Sequence, residues 1–424
     1  MTSATPPPAE RAPTPWRAAR LLDAPHRLCF FWAGLNWAGA AVWWSAYLTA
    51  AALDAPWPWQ LPAASAHGLW FSLGAMPLFI AGFMFTAGPK WLRRPPVAAR
   101  ALRLPVGLFT LGWAVAVLGF HVGLALAATG LALVAMGWAG LSWRIVGLVA
   151  GSSQADRRHP WLIAVASIIM VACLTLSSLA LATGRSDLLH PVLRLALWGG
   201  VTLVFLAVSH RLLPFLGAGA WPSLDARWPG WPLWLVVSVS VVQSASAIVE
   251  PWLAPLPAWR GFEAMHLAGV AALCLWIALR WTRAPALRQP LVAMLFVAFL
   301  WWDVALWLAA AARLPGLGAS TAAALDLAAV HALTMGYLAG TLLVMATRVS
   351  STHSGRPVAI DGVARALYGV LQLAVVLRLA AALAPASSVQ WLLWAALAWM
   401  SMAVVWATRH GGWQGSPRKD GRPG

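Results

Sequence analysis

The chain is 424 residues long, 61% hydrophobic and only 10% charged, with a formal net charge of +17. A soluble domain carries about a quarter charged residues, so this composition excludes an ordinary water-soluble globule. The positive balance invites nucleic acid as a partner, but the charges sit in loops between apolar runs, which excludes that reading and makes the lipid bilayer the partner instead.

Residues 1–24 are rich in Pro and Ala and have no apolar core before Arg27. They predict a disordered cytoplasmic tail rather than a cleaved leader. Apolar runs of bilayer-crossing length then recur about twelve times. They fall near 28–50, 67–87, 104–121, 123–143, 161–182, 190–210, 231–250, 261–280, 290–310, 322–347, 365–384 and 390–408. Within 104–143 the turn is placed at Gly119, His121 and Gly123. Residues 25–409 thus read as one transmembrane domain and 410–424 as a second cytoplasmic tail. The fold class is all-α, a polytopic integral membrane protein.

Numbering the loops alternately by side leaves Lys and Arg almost wholly on one of them. Arg185, Arg260 and Arg313 fall in opposite loops, and Arg194 and Arg378 fall within spans. Short basic loops stay cytoplasmic, so both termini are cytoplasmic and the number of spans is even. Cys29, Cys173 and Cys274 all lie in spans without a CxxC, which predicts buried free thiols.

The basic loops also fix depth. At about 1.5 Å per residue, His331 lies roughly 25 Å above Arg348. The same reckoning puts His67, His121 and His266 at the outer end of their spans. Arg194, Asp303, Asp326 and Arg378 share that layer. Buried charges pair, so an Arg–Asp pair is one expectation. An Arg facing an anionic group such as a haem propionate is the other. An inner layer holds His26-Arg27, His159, His210-Arg211 and His353. His210 is placed on a last helical turn before Pro214.

On a helical wheel His331, Met335, Leu338, Leu342 and Met345 form one stripe. His331 and Met335 would then be stacked neighbours able to ligate haem or copper, since imidazole and thioether suit both. Packing is the alternative for Met335. His67 is the second candidate ligand to a metal or haem. A histidine inside a span is costly without a partner, a proton or a metal.

The stretch His331-Ala-Leu-Thr-Met-Gly336, continuing through Met345-Ala-Thr-Arg348 to His353-Ser-Gly-Arg356-Pro357, resembles the signature of the NnrS family. Gly82-Phe83-Met-Phe-Thr86-Ala-Gly-Pro89-Lys-Trp91, preceded by His67 and Gly74, is similar to that family too. So are His210-Arg211-Leu-Leu-Pro214-Phe215 and Leu287-Arg288-Gln289-Pro290-Leu291. The resemblance covers the chain beyond its N-terminal tail. It implies a bacterial inner-membrane protein with haem, of b type, and copper, tied to denitrification and the nitric-oxide response. Where the family carries His-x-His-Glu, this chain has His67 followed by Leu69 and Trp70, and Phe296 replaces a further His. The resemblance therefore implies haem more strongly than copper.

The residues and the resemblance together suggest a haem held by His67 and His331, with His121 and His266 as alternates and nitric oxide as a ligand. His210, His353, Arg348 and Arg356 form an inner candidate set, with His353 expected to face His210 across a folded-back loop. Span 7 has no histidine, which excludes a three-His copper centre of the haem–copper oxidase kind. A transporter or sensor without a redox cofactor, using Arg194, Asp303, Asp326 and Arg378, is the alternative. A docking partner for electron-transfer or metal-delivery proteins is a third. Turnover, its substrate and its electron donor stay open at this point.

Overall fold

The computed structural model describes residues 15–217, 230–249, 256–283, 285–357, 360–384 and 388–421. Within them every regular element is helical, as the apolar runs predict. In chain order these are α1 (Pro25–Ala52), α2 (Ala63–Leu73), α3 (Met76–Trp91), α4 (Arg103–Val122), α5 (Leu124–Ala150), α6 (Arg158–Ala182), α7 (Leu189–Leu195) and α8 (Leu203–Gly217). Then follow α9 (Trp231–Val249), α10 (Pro257–Trp281), α11 (Pro290–Ala311), α12 (Ala319–His331), α13 (Ala339–His353), α14 (Gly362–Leu383) and α15 (Ser388–Gln414).

Three crossings are made of two helices each. A break at Gly74 joins α2 to α3. Residues Ala196–Thr202 join α7 to α8 as a π-helical stretch, and Ala332–Leu338 join α12 to α13 in the same way. Eleven helical stretches are long and apolar enough to cross a membrane among the described residues. α1 is too rich in Trp and polar residues to meet that measure. It nevertheless lies antiparallel along one of the eleven, α15. Arg27 bonds Gln414, Gly34 packs on Trp406 and Ser45 bonds Ala396. α1 therefore makes the twelfth crossing, and both ends of the described chain lie at the basic, inner end.

The expected turn within 104–143 is present, with Gly123 alone between α4 and α5. Gly112 and Gly119 of α4 face Gly130 and Ala127 of α5 so closely that an added methyl would meet backbone. Small residues allow that approach, and close packing is what holds helices together where lipid removes the hydrophobic drive.

Residues near the start of the described chain are tied to the end of α15. Arg17 N–H bonds Gly415 O at 2.9 Å, and the Trp16 indole donates to Gly411 O at 3.2 Å. α15 also runs past 409 to Gln414, and Lys419 N–H bonds Ser354 O at 3.0 Å. The N-terminal segment is held because its donors satisfy carbonyls at the end of α15, and the C-terminal segment because it bonds the end of α13, which composition does not report. Residues 1–14 and 422–424, with Arg227, lie outside the described residues. α8 continues through position 214 to Gly217, so Pro214 does not end it; transmembrane helices tolerate Pro where neighbours re-satisfy the backbone. Cys29, Cys173 and Cys274 are buried free thiols, as expected.

Candidate functional site at the outer end of the bundle

The break at Gly74 and the π stretch after His331 set two histidines against each other. His67 on α2 and His331 at the end of α12 have ring centroids 6.5 Å apart and planes 17° from parallel. His331 Nδ1 lies 2.8 Å from the Leu327 carbonyl. A carbonyl only accepts, so Nδ1 carries the proton and Nε2 keeps its lone pair. His67 is packed between Trp44 and Phe71, and its Nδ1 is buried without a partner.

Arg378 of α14 stands within electrostatic reach of both rings. Among the described residues it makes no ion pair. The site thus combines two facing imidazoles, an unsatisfied ring nitrogen and a cation without a counter-ion.

The remaining outer candidates are otherwise engaged. The Trp43 indole donates to His121 Nε2 at 2.8 Å, which leaves Nδ1 to donate to Pro58 O at 2.6 Å. Both nitrogens are spent, so His121 is not an alternate ligand. His266 hydrogen-bonds Ser238 at 3.2 Å on α9 and stacks on Phe262, so it serves elsewhere too. Met335 falls inside the π stretch, half-buried against the core. The wider turn there rotates every later residue relative to His331, so the single stripe read from a regular wheel does not persist. Leu69 is fully buried, and the Trp70 indole donates to Asn36 Oδ1 at 3.3 Å. Both positions serve packing here.

The expected Arg–Asp pair exists, and it belongs to a larger array. Arg194 meets Asp326 at 3.3 Å, Asp326 meets Arg313 at 3.3 Å, and Arg313 meets Glu263 at 3.3 Å. Glu263 also accepts from Gln243 at 2.9 Å and Ser246 at 2.6 Å. Glu263 is 5% exposed and Arg313 8%. Glu263 and Gln243 escaped the sequence reading. A carboxylate inside an apolar run was the available signal. Asp303 is buried with Oδ1 unpartnered and takes no part in this array.

At the inner end the candidates separate into distinct groups. His353 lies against His26, ring centroids 4.3 Å apart, rather than facing His210. His210 Nδ1 instead meets His159 Nε2 at 2.9 Å. The correction has a simple cause. α13 is flanked at its end by α1, whereas α8 is flanked by α6, so each histidine meets the neighbour that packing supplies. His210 also borders a cavity of about 60 Å³ with Cys274, Trp302 and Tyr337. Arg348 is half-buried on α13, Arg211 stacks over Trp91 at 4.8 Å, and Arg356 stacks over Trp413 at 4.4 Å.

A metal or haem at the outer pair can be tested against geometry. The two rings stand 6.5 Å apart and His67 Nδ1 is buried without a partner, so the pair offers imidazole donors to one added group. Haem asks the protein for few donors, and His67 and His331 would hold it. Among the described residues no three or more of His, Cys, Asp and Glu converge as a metal site. The donor set therefore suits a haem better than a copper centre built from three or more such side chains.

Comparison with known families gives one full-length result: the family model described as NnrS protein matches residues 20–418. No curated protein matches the chain.

Proposed function

The chain belongs to the NnrS family of membrane proteins associated with the nitric-oxide response, and on that premise we propose that it holds one haem near its outer end between His67 and His331. The observation that carries the reading is the facing of these two rings at 6.5 Å, with one buried nitrogen unpartnered. Bound there, haem would supply an iron centre able to exchange an electron, and to take up a diatomic ligand such as nitric oxide where that ligand displaced one of the two histidines.

The chain's own residues do the rest. Leu327 O fixes the His331 tautomer and turns Nε2 into the donor. Such fixing of a ligating imidazole by its other nitrogen orients the ring and raises its basicity. Trp44 and Phe71 hold the His67 ring and keep water from it. Arg378 supplies positive charge for an anionic group at the cofactor's edge, such as a propionate. It sits in the bacterial inner membrane in this reading, and serves nitrosative stress or denitrification.

Optical spectra of the detergent-purified protein, oxidised and reduced, with metal analysis, test the proposal. A Soret band that shifts on reduction, and that disappears in His67→Ala and in His331→Ala while the melting profile persists, supports it. A folded, haem-supplied protein without colour sinks it.

A further inference from the structure

The inner end also holds buried nitrogen atoms that lack partners, and two of them belong to one cluster. Arg356, Arg409 and His410 gather around one indole, Trp413. The Arg356 guanidinium carbon lies 4.4 Å from that ring's centroid and the Arg409 carbon 4.8 Å. The His410 ring meets it at 4.5 Å, edge on.

Arg409 is satisfied by Asp361, which it grips with both terminal nitrogens. Arg356 and His410 are not. Arg356 Nη1 is buried without a hydrogen-bond partner. His410 is 1% exposed. Its Nδ1 donates to Trp406 O at 2.9 Å, and its Nε2 is buried and unpartnered.

A topological signal alone does not account for this. The positive-inside rule asks for basic side chains on one side, and water or the backbone satisfies them. Neighbouring arginines show that outcome. Arg20 donates to Pro15 O at 2.6 Å, and Arg27 donates to Gln414 O and Ser416 O, each at 2.9 Å. Arg418 reaches His353 O at 3.3 Å. Arg356 and His410 instead keep unmade bonds in a buried place, where an unmade bond is unfavourable.

We propose that Arg356 and His410 bind the phosphate group of an anionic ligand at the inner membrane interface. Trp413 forms the floor, and Arg409 adds a second positive charge at longer range. Arg donates to phosphate oxygens through its planar fork. His410 Nε2 accepts from a phosphate hydroxyl, or takes up a proton and donates to a phosphate oxygen. Both states of the ring therefore suit the same ligand. Tryptophan is at home at headgroup depth, and basic pockets between spans on the cytoplasmic side suit phospholipid headgroups. The phosphate comes from a headgroup of the inner leaflet or from free phosphate.

The test uses the full chain in detergent, titrated at fixed ionic strength with phosphatidylglycerol and, separately, with inorganic phosphate. Native mass spectrometry reads retained lipid, and thermal shift reads both ligands. Wild type is expected to respond, and R356Q to bind roughly ten-fold more weakly, the loss expected for one charge-assisted hydrogen bond. R356K falls between them, because lysine keeps the charge without the fork. It also serves if R356Q does not fold. A response to the lipid alone identifies a headgroup site, and a response to phosphate a free-anion site; both uphold the proposal. Equal binding by wild type and both variants overturns it. So does a folded wild type that responds to neither ligand. These readouts do not depend on haem, so this inference and the outer-site reading fail separately.

Discussion

Two groups of charge share the outer end of the bundle, and they are finished differently. In the array Arg194–Asp326–Arg313–Glu263 every cation meets a carboxylate, and Gln243 and Ser246 take up the remaining acceptor capacity of Glu263. Around His67 and His331 the cation Arg378 meets no carboxylate among the described residues, and a ring nitrogen has no partner there. The first group neutralises its charges within the chain, and only Arg194 Nε in it is left without a hydrogen bond. The second keeps its positive charge without a counter-ion among the described residues. Polarity within the bilayer is therefore a weak guide to function. Unfinished polarity is the better one.

The contrast is broken most severely by removing one member of the closed array. Glu263→Gln leaves Arg313 with Asp326 as its remaining carboxylate, and losing one partner of a buried pair costs up to about 3–5 kcal/mol. The expected result is a large fall in the detergent melting temperature and in the yield of monodisperse protein. An unchanged melting profile would show that the array is not holding α9, α10, α11 and α12 together.

The open group should respond in the opposite way. His331→Ala is expected to remove the haem band while the melting temperature of the haem-free protein moves little, because the hydrogen bond its ring makes among the described residues is to Leu327, one turn back on its own helix. Arg378→Gln is milder still. The haem remains, its reduction potential falls as a neighbouring positive charge is lost, and the haem-free fold is unaffected or slightly stabilised. Spectroelectrochemical titration beside thermal unfolding separates the two effects. A potential equal to wild type would remove Arg378 from the cofactor's surroundings.

His121 sharpens the boundary between the groups. His121→Ala forfeits bonds to Trp43 and Pro58, a loss of about 1–3 kcal/mol, yet the absorbance per protein stays at the wild-type value. A bleached His121→Ala protein would reopen its role as a ligand.

The smallest effect is expected at Asp361, whose carboxyl the Arg409 guanidinium holds down to about 2. A carboxylate depressed in this way stabilises the fold above its ordinary value of about 4 and loses that contribution as pH falls through about 2. The pair is half-exposed, so Asp361→Asn costs about 0–1 kcal/mol. The difference between variant and wild type in a melting series should vanish at the acid end.

Much of this organisation is legible in the residues themselves. Spans, their inside ends and the shared depth of His67 and His331 follow from apolar run length and the placement of arginines. Each is a one-dimensional property: a run must match a slab of fixed thickness, and a charge marks where the slab stops. The family signature is likewise a linear pattern, and the match over residues 20–418 bears it out.

Pairing in the plane of the membrane is not one-dimensional. Nothing in the spacing of His353 and His210 says that one meets His26 and the other His159. The π stretch at 332–338 interrupts the regular wheel on which His331 and Met335 were aligned. The closing of Arg313 onto Glu263 joins elements that alternate sides along the chain. What the sequence determined alone was therefore membrane residence, the number of crossings, their direction and the depth of each polar group. Which polar groups would find partners, and which would be left open for a ligand, was decided only when the helices packed. Helix packing sets lateral neighbours through small-residue contacts and local changes of helical turn, and those depend on every span at once.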